Sequence, residues 1–198
     1  MPSAITKITP SPDWFTGFQD FQPINYTSNT WFDGFTINTY PMDAGTKSGN
    51  SYLRNGSTTT ETIFQYSETT VPDTFVFLDQ FGSSVPPVAT WSCVRLNLGT
   101  TSQSSSNLRS GSQYRSPTSR NFISDGKLRS NFPVTTPVEY SVTFSGTWTA
   151  NNHPNDYPSS ARFTPHILLV HSDGFRLWTP GELASEAVTK MAESADGP

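Results

Sequence analysis

Strict alternation of apolar and polar positions is clearest between residues 138 and 148. There Val138, Tyr140, Val142, Phe144 and Trp148 interleave with Glu139, Ser141, Thr143, Ser145 and Thr147. A period of two over that length predicts a strand with one buried and one wet face. Within residues 163–171 the run from Ile167 to Val170 is continuously apolar, which predicts a strand buried on both sides. Ser172-Asp173-Gly174 then leads into residues 175–178. Asp-Gly supplies the positive φ angles of a tight turn, so a hairpin is predicted. Further strands are predicted at residues 4–8, 34–40, 60–66, 74–81 and 89–98. Strands recurring with short turns between them are the pattern of a sandwich.

One helix stands out near the C-terminal end. Thr179 is placed to cap it, Pro180 falls at the first helical position, and Glu182 completes a capping box. Leu183, Ala184, Ala187, Val188, Met191 and Ala192 follow helical spacing on one face, while Glu186 and Lys190 pair at i,i+4 on the other. Gly197 and Pro198 end it, and the helix is expected to pack across an end of the sandwich.

Composition narrows the class. The 198 residues fit one domain, with 33% apolar, 14% charged and 13% aromatic residues. Many aromatics and turn residues with few helix formers predict an all-β antiparallel sandwich with one C-terminal helix. A net charge of −4 sets up no field favouring nucleic acid. No apolar run approaches the ~20 residues of a membrane span, so membrane insertion is not expected. Residues 99–131 are Ser-, Arg- and Gly-rich; Arg109, Arg115, Arg120, Lys127 and Arg129 face Asp125 alone, giving that stretch +4 and the remainder −8. With few apolar positions it is expected to be a flexible connection between residues 1–98 and 132–198 of one folded domain. Cys93 is the single cysteine, which excludes an internal disulfide. Acceptor sequons at Asn25 and Asn55 suit an extracellular protein, and no signal-peptide pattern stands at the N-terminus.

Two groups of segments carry a family resemblance. Ile8-Thr9-Pro10-Ser11-Pro12-Asp13-Trp14-Phe15-Thr16-Gly17 resembles the signature of the spondin N-terminal domain, of the F-spondin and mindin type. Tyr40-Pro41-Met42-Asp43-Ala44-Gly45-Thr46, followed by Gly49, is similar to the same family's Asp-Ala-Gly-Thr segment, and Val94-Arg95-Leu96 to its closing strand. Tyr140-Ser141-Val142-Thr143-Phe144-Ser145-Gly146-Thr147-Trp148 resembles the other half of that family. Asp156-Tyr157-Pro158, His171, Leu177-Trp178, Ala184-Ser185 and Ala192-Glu193 follow in its order. In the family the Tyr-Ser-Val-Thr-Phe half comes first, so this chain reads as a circular permutant, which surface termini lying close together tolerate.

The resemblance implies a C2-like sandwich whose loops at one end hold calcium, a cation that takes six to eight oxygens. It assigns Asp13 and Asp43, both expected in loops, as metal ligands, with Asn38 as a neutral third. The family often has Asp where Asn38 and Lys47 stand here, so calcium is expected to bind weakly. The competing reading of both aspartates is turn chemistry. His153, His166 and His171 lack the partners of a zinc site. The aromatics Trp14, Phe15, Phe18, Phe21, Trp31 and Phe32 read as core in preference to a sugar-stacking platform. No catalytic arrangement is distinguished by spacing, so no enzyme is expected. The functional expectation is a secreted adhesion or matrix-recognition domain contacting an extracellular protein or glycan. The alternatives are a carbohydrate-binding module and a structural subunit assembling head-to-tail.

Overall fold

A computed structural model describes residues 1–25, 30–54, 56–67, 76–96, 137–172 and 174–194. The expected flexible connection, Asn55 of its sequon and most of the sequon at Asn25 lie outside the described residues. β1 (Pro2–Thr9) is flanked on one side by β2 (Trp14–Phe18), in the register Ala4 to Phe18 and Lys7 to Phe15. A small ribbon of β3 (Ile24–Asn25) and β4 (Thr30–Trp31) precedes β5 (Gly34–Thr39). The short strands β6 (Met42–Asp43) and β7 (Phe64–Gln65) extend the first sheet beyond β2. β8 (Ala89–Leu96) is the middle of a second sheet, between β5 and β9 (Glu139–Gly146). On its other side β1 pairs with β10 (Arg162–Phe163) and β11 (Ile167–Val170), both antiparallel.

The two sequence halves therefore interlock in both sheets. β1 comes from the first half and β10 and β11 from the second; β8 comes from the first and β9 from the second. Within a single chain, the reversed order still completes both sheets.

Between the sheets, Ile8 and Trp14 pack with Tyr52, Tyr66, Phe77 and Trp148, and Ala4 and Phe18 with Phe35, Ile37, Trp91 and Cys93. The opposite face of the first sheet presents Ile5 and Phe15, which pack against Val188, Met191 and Ala192 of α1 (Glu186–Glu193) and against Trp178. The helix thus covers the outer face of a sheet rather than an end of the sandwich. Because both its faces are covered, β1 is buried from Ser3 through Thr9, polar residues included.

Several further expectations need correction. Helix α1 starts at Glu186 with Ser185 as its cap, and the expected capping box serves a tertiary contact instead. The Glu182 carbonyl accepts from the Ile63 amide, and the Gly181 amide donates to Ile63. Gly181 has φ +88°, which interrupts any helix begun at Pro180. Residues 175–178 make no hairpin with β11, whose partner is β1. β11 is an edge strand with Val170 84% exposed, so it is not buried on both sides. Of the strand expected over 60–66, Phe64–Gln65 pairs with β6 and Thr62 makes an isolated antiparallel bridge to Leu183, while residues 76–81 of the strand expected over 74–81 run through a turn.

Candidate functional site

Two signature segments meet at one end of the sandwich. Ser11 donates its hydroxyl to the Ile8 carbonyl at 2.6 Å and accepts from the Trp14 amide at 3.1 Å, tightening the turn between β1 and β2. That turn delivers Asp13 beneath residues 44–47. Asp13 Oδ2 accepts from the amides of Thr46 at 2.7 Å and Lys47 at 2.9 Å, and from the Thr46 hydroxyl at 3.2 Å. In the neighbouring pair, Asp43 Oδ2 accepts from Trp14 Nε1 at 2.9 Å and from the Tyr66 hydroxyl at 3.2 Å. Asp43 Oδ1 caps the Gly45 amide at 2.7 Å. Each signature aspartate thus fixes backbone, and the Asp-Trp pair ties one segment to the other.

Both carboxyls are buried, not set on open loops: Asp13 is 0% and Asp43 6% exposed. Burial, reinforced by the charge of Asp13, raises the Asp43 carboxyl to about 7. Asp13 is raised as well, again by burial, with its three hydrogen bonds pulling the other way. A third group, which the sequence reading missed, is Lys7. It leaves β1 on the outer face beneath the helix, opposite Phe15. Its ammonium donates to the carbonyls of Ser11 and Pro12 and to the Ala192 carbonyl at the end of α1, where a cation is favoured. Burial lowers its ammonium to about 8, against the opposing pull of Asp13.

Gly45 completes the turn. Its φ is +70°, and a Cβ there would stand 2.3 Å from the Glu61 carbonyl oxygen. Gly45→Ala is therefore expected to lose about 1–3 kcal/mol from strain and overpacking, read as a lower urea midpoint with an unchanged slope.

These residues do not fit a calcium ion. Of the four carboxylate oxygens, Asp43 commits both and Asp13 commits one, leaving Asp13 Oδ1 as the one without a hydrogen-bond partner. Calcium asks for six to eight oxygens, and the cation already nearby is Lys7. Asn38 is not brought into the group: it lies on β5 in the other sheet, where its Oδ1 accepts from the Thr90 hydroxyl at 3.0 Å. Among the described residues no three His, Cys, Asp or Glu side chains are grouped to hold a metal. The histidines are separately engaged. His153 Nε2 lies 3.2 Å from the Pro86 carbonyl, the His166 ring packs at a tilt against Phe144, and His171 Nε2 sits 2.7 Å from the Ser3 hydroxyl.

Above the buried clasp sit the loops. Tyr52 donates its hydroxyl to the Val76 carbonyl, and both join Phe77, Val85 and Trp148 in the cluster around Trp14. Residues 48–54, 76–85 and 149–160 are thereby gathered around one core. One of these loops, from Asp79 to Ser84, is closed by its own hydrogen bonds. Asp79 Oδ1 accepts from the amides of Phe81 and Ser83 at 3.0 Å, and Oδ2 from the Ser84 hydroxyl at 2.6 Å. The Asp79 amide returns to the Ser84 carbonyl at 2.9 Å. The Ser84 hydroxyl above all lowers the Asp79 carboxyl to about 2. At the tip, Phe81 is 79% exposed, and Leu53 on the neighbouring loop is 62% exposed. The sequence carried a signal for this loop, Asp79 followed by Gly82-Ser83-Ser84, which the apolar residues around it masked. Of the expected aromatic set, Trp14, Phe15 and Phe18 are core, while Phe21, Trp31 and Phe32 are half-buried.

Fold and site together define a β-sandwich whose signature residues build the scaffold beneath a cluster of loops. The model of the family described as Spondin_N matches residues 1–87 and 138–197, and the chain belongs to this family. The match falls in two pieces, as the permuted order requires. Spondin-1 of Homo sapiens and of Rattus norvegicus are each 41% identical over 57 residues, 28% of this chain and 7% of the relative's length. Spondin-1 of Gallus gallus is 37% identical over the same share. The chain thus matches only a small part of these curated relatives. No solved structure matches the chain.

Proposed function

We propose that the chain is an extracellular adhesion or matrix-recognition domain that contacts a protein or glycan partner through the loop end of the sandwich. The observation that carries this reading is Phe81: a large apolar ring, 79% exposed, on a loop whose backbone is already fixed by Asp79. Exposed aromatics dominate interface energetics, and an ordered loop loses little entropy on binding. Membership of the spondin family supports the extracellular setting. None of the described helices is long and apolar enough to cross a membrane. The reading assigns no catalytic step.

The test is attachment of cultured cells to surfaces coated with the domain. Phe81→Ser is expected to reduce attachment about thirtyfold, equivalent to one hot-spot side chain of about 2 kcal/mol, with the melting temperature unchanged. Attachment that survives the substitution in full would sink the proposal. Recognition by these loops does not route through a metal. Melting in millimolar calcium and in excess chelator is therefore expected to agree within about 1 °C. An ion at 100 times its dissociation constant adds about 2.7 kcal/mol, which moves a domain of this size by several degrees. A rise of that size would restore a calcium site to the loop end.

A further inference from the structure

At the side of the sandwich where β9 and β11 are the edge strands, the two sheets part. Towards one end the gap is plugged by rings: Phe144 lies 5.0 Å from Phe163 and 4.0 Å from His166. Towards the other end the strands carry Val142, Leu168 and Val170 instead, which are too short to meet across it. What remains is a half-open cavity of about 600 Å³ reaching between the sheets. One wall comes from the first sheet through Phe18, Leu168 and Val170, the other from the second through Phe35, Cys93 and Val142.

A cleft of that size with predominantly apolar walls has the form of a small-molecule site. Its walls do not suit water. The Tyr140 hydroxyl is already committed to the Phe32 carbonyl at 2.6 Å, and among the described lining residues Gln22, at the margin, offers the one side-chain amide, its Nε2 3.2 Å from Met1 Sδ. Among the described lining residues no side chain is charged. Water inside would forgo hydrogen bonds that apolar walls cannot return. An extended peptide pairing along one edge would lie outside this volume, because the cavity is bounded by the inward faces of both sheets.

We propose that this opening is a binding site for one small, uncharged, mainly hydrocarbon molecule. At about 30 Å³ per heavy atom the volume holds roughly 20 such atoms. A single polar substituent would be met by Gln22 at the mouth. The site is separate from the loop end, so its success or failure leaves the recognition reading untouched.

The neutral fluorophore N-phenyl-1-naphthylamine is of suitable size and brightens in apolar surroundings. Titration is expected to show one saturable site per chain with a Kd on the order of 10 μM. Val142→Trp and Leu168→Trp place bulk in the space from positions already partly exposed. Each is expected to weaken binding by at least about tenfold without lowering the melting temperature. A second measurement uses the unaltered chain. Cys93, the single cysteine, lines the cavity, so saturating probe is expected to slow its modification by methyl methanethiosulfonate about tenfold. Fluorescence that never saturates, equal affinity in the tryptophan variants, or Cys93 modified at the same rate with and without probe would each overturn the site.

Discussion

Trp14→Ala is expected to cost about 4 kcal/mol, enough to bring a domain of ordinary stability close to unfolding at 37 °C. Trp14 is 0% exposed and meets Tyr52, Tyr66 and Phe77 edge-on, with ring centroids 5.0–5.6 Å apart. Truncation removes the ring around which these three are organised. It also takes away the N–H that partners Asp43 Oδ2, so a cavity and a weakened polar contact arise together. Trp14→Phe separates the two effects. It keeps most of the apolar volume and loses the N–H, so about 1–3 kcal/mol is expected. Urea denaturation of both variants provides the comparison. Equal losses would mean that the hydrogen bond, not the packing, holds the two signature segments together.

The second large effect is on pH. Asp43, raised to about 7, holds its proton in the folded chain where the unfolded chain has released it. Its contribution to stability is fully present below about pH 4 and is lost as pH rises through about 7. Asp13, raised by the same burial, acts in the same direction. Lys7, lowered to about 8, has the opposite course. The folded chain sheds this proton before the unfolded one does, so stability rises as pH climbs from about 8 towards 10.5. The cluster is therefore least favourable between pH 7 and 8. Moving from pH 7.5 to pH 5 is expected to gain about 2.5 kcal/mol from Asp43. Asp43→Asn cannot titrate, so the difference between the two proteins isolates this gain from that of other carboxyls. Denaturation at both pH values measures it. A parallel pH dependence in the two proteins would show that Asp43 is ionised throughout.

The sequence alone revealed much of the second sheet. The alternation around Val142 became β9, though as an edge strand none of its residues is fully buried, and the strands expected at 34–40 and 89–98 became β5 and β8, where burial does alternate through Ile37 and Trp91. It also gave the family, through segments such as Ser-Pro-Asp-Trp whose spacing is itself the scaffold. The roles of those segments were less legible. Asp13 and Asp43 read as acids on loops, since turn residues surround them; whether a turn is roofed over depends on chain distant in sequence. Here the roof is Thr46, Lys47 and Tyr66. Lys7 was silent because a lysine in a strand is ordinarily assigned to solvent. Nothing local to residues 2–9 tells of a helix that arrives some 180 residues later.

The strands around Ile5, Ile37, Trp91 and Val142, the single helix, the family and the reversed order of halves thus belong to the sequence, because each is written in short-range pattern. Partners belong to the tertiary structure. It decided that β11 pairs with β1 rather than with the next segment, and that residues 180–183 bond to Ile63 instead of starting the helix. It also decided that two aspartates are buried, and that aliphatic side chains leave open the edge that aromatic rings close a few residues away. Each of these depends on which surfaces compete for the same backbone groups and the same apolar area. That competition is settled only when all the elements are in place.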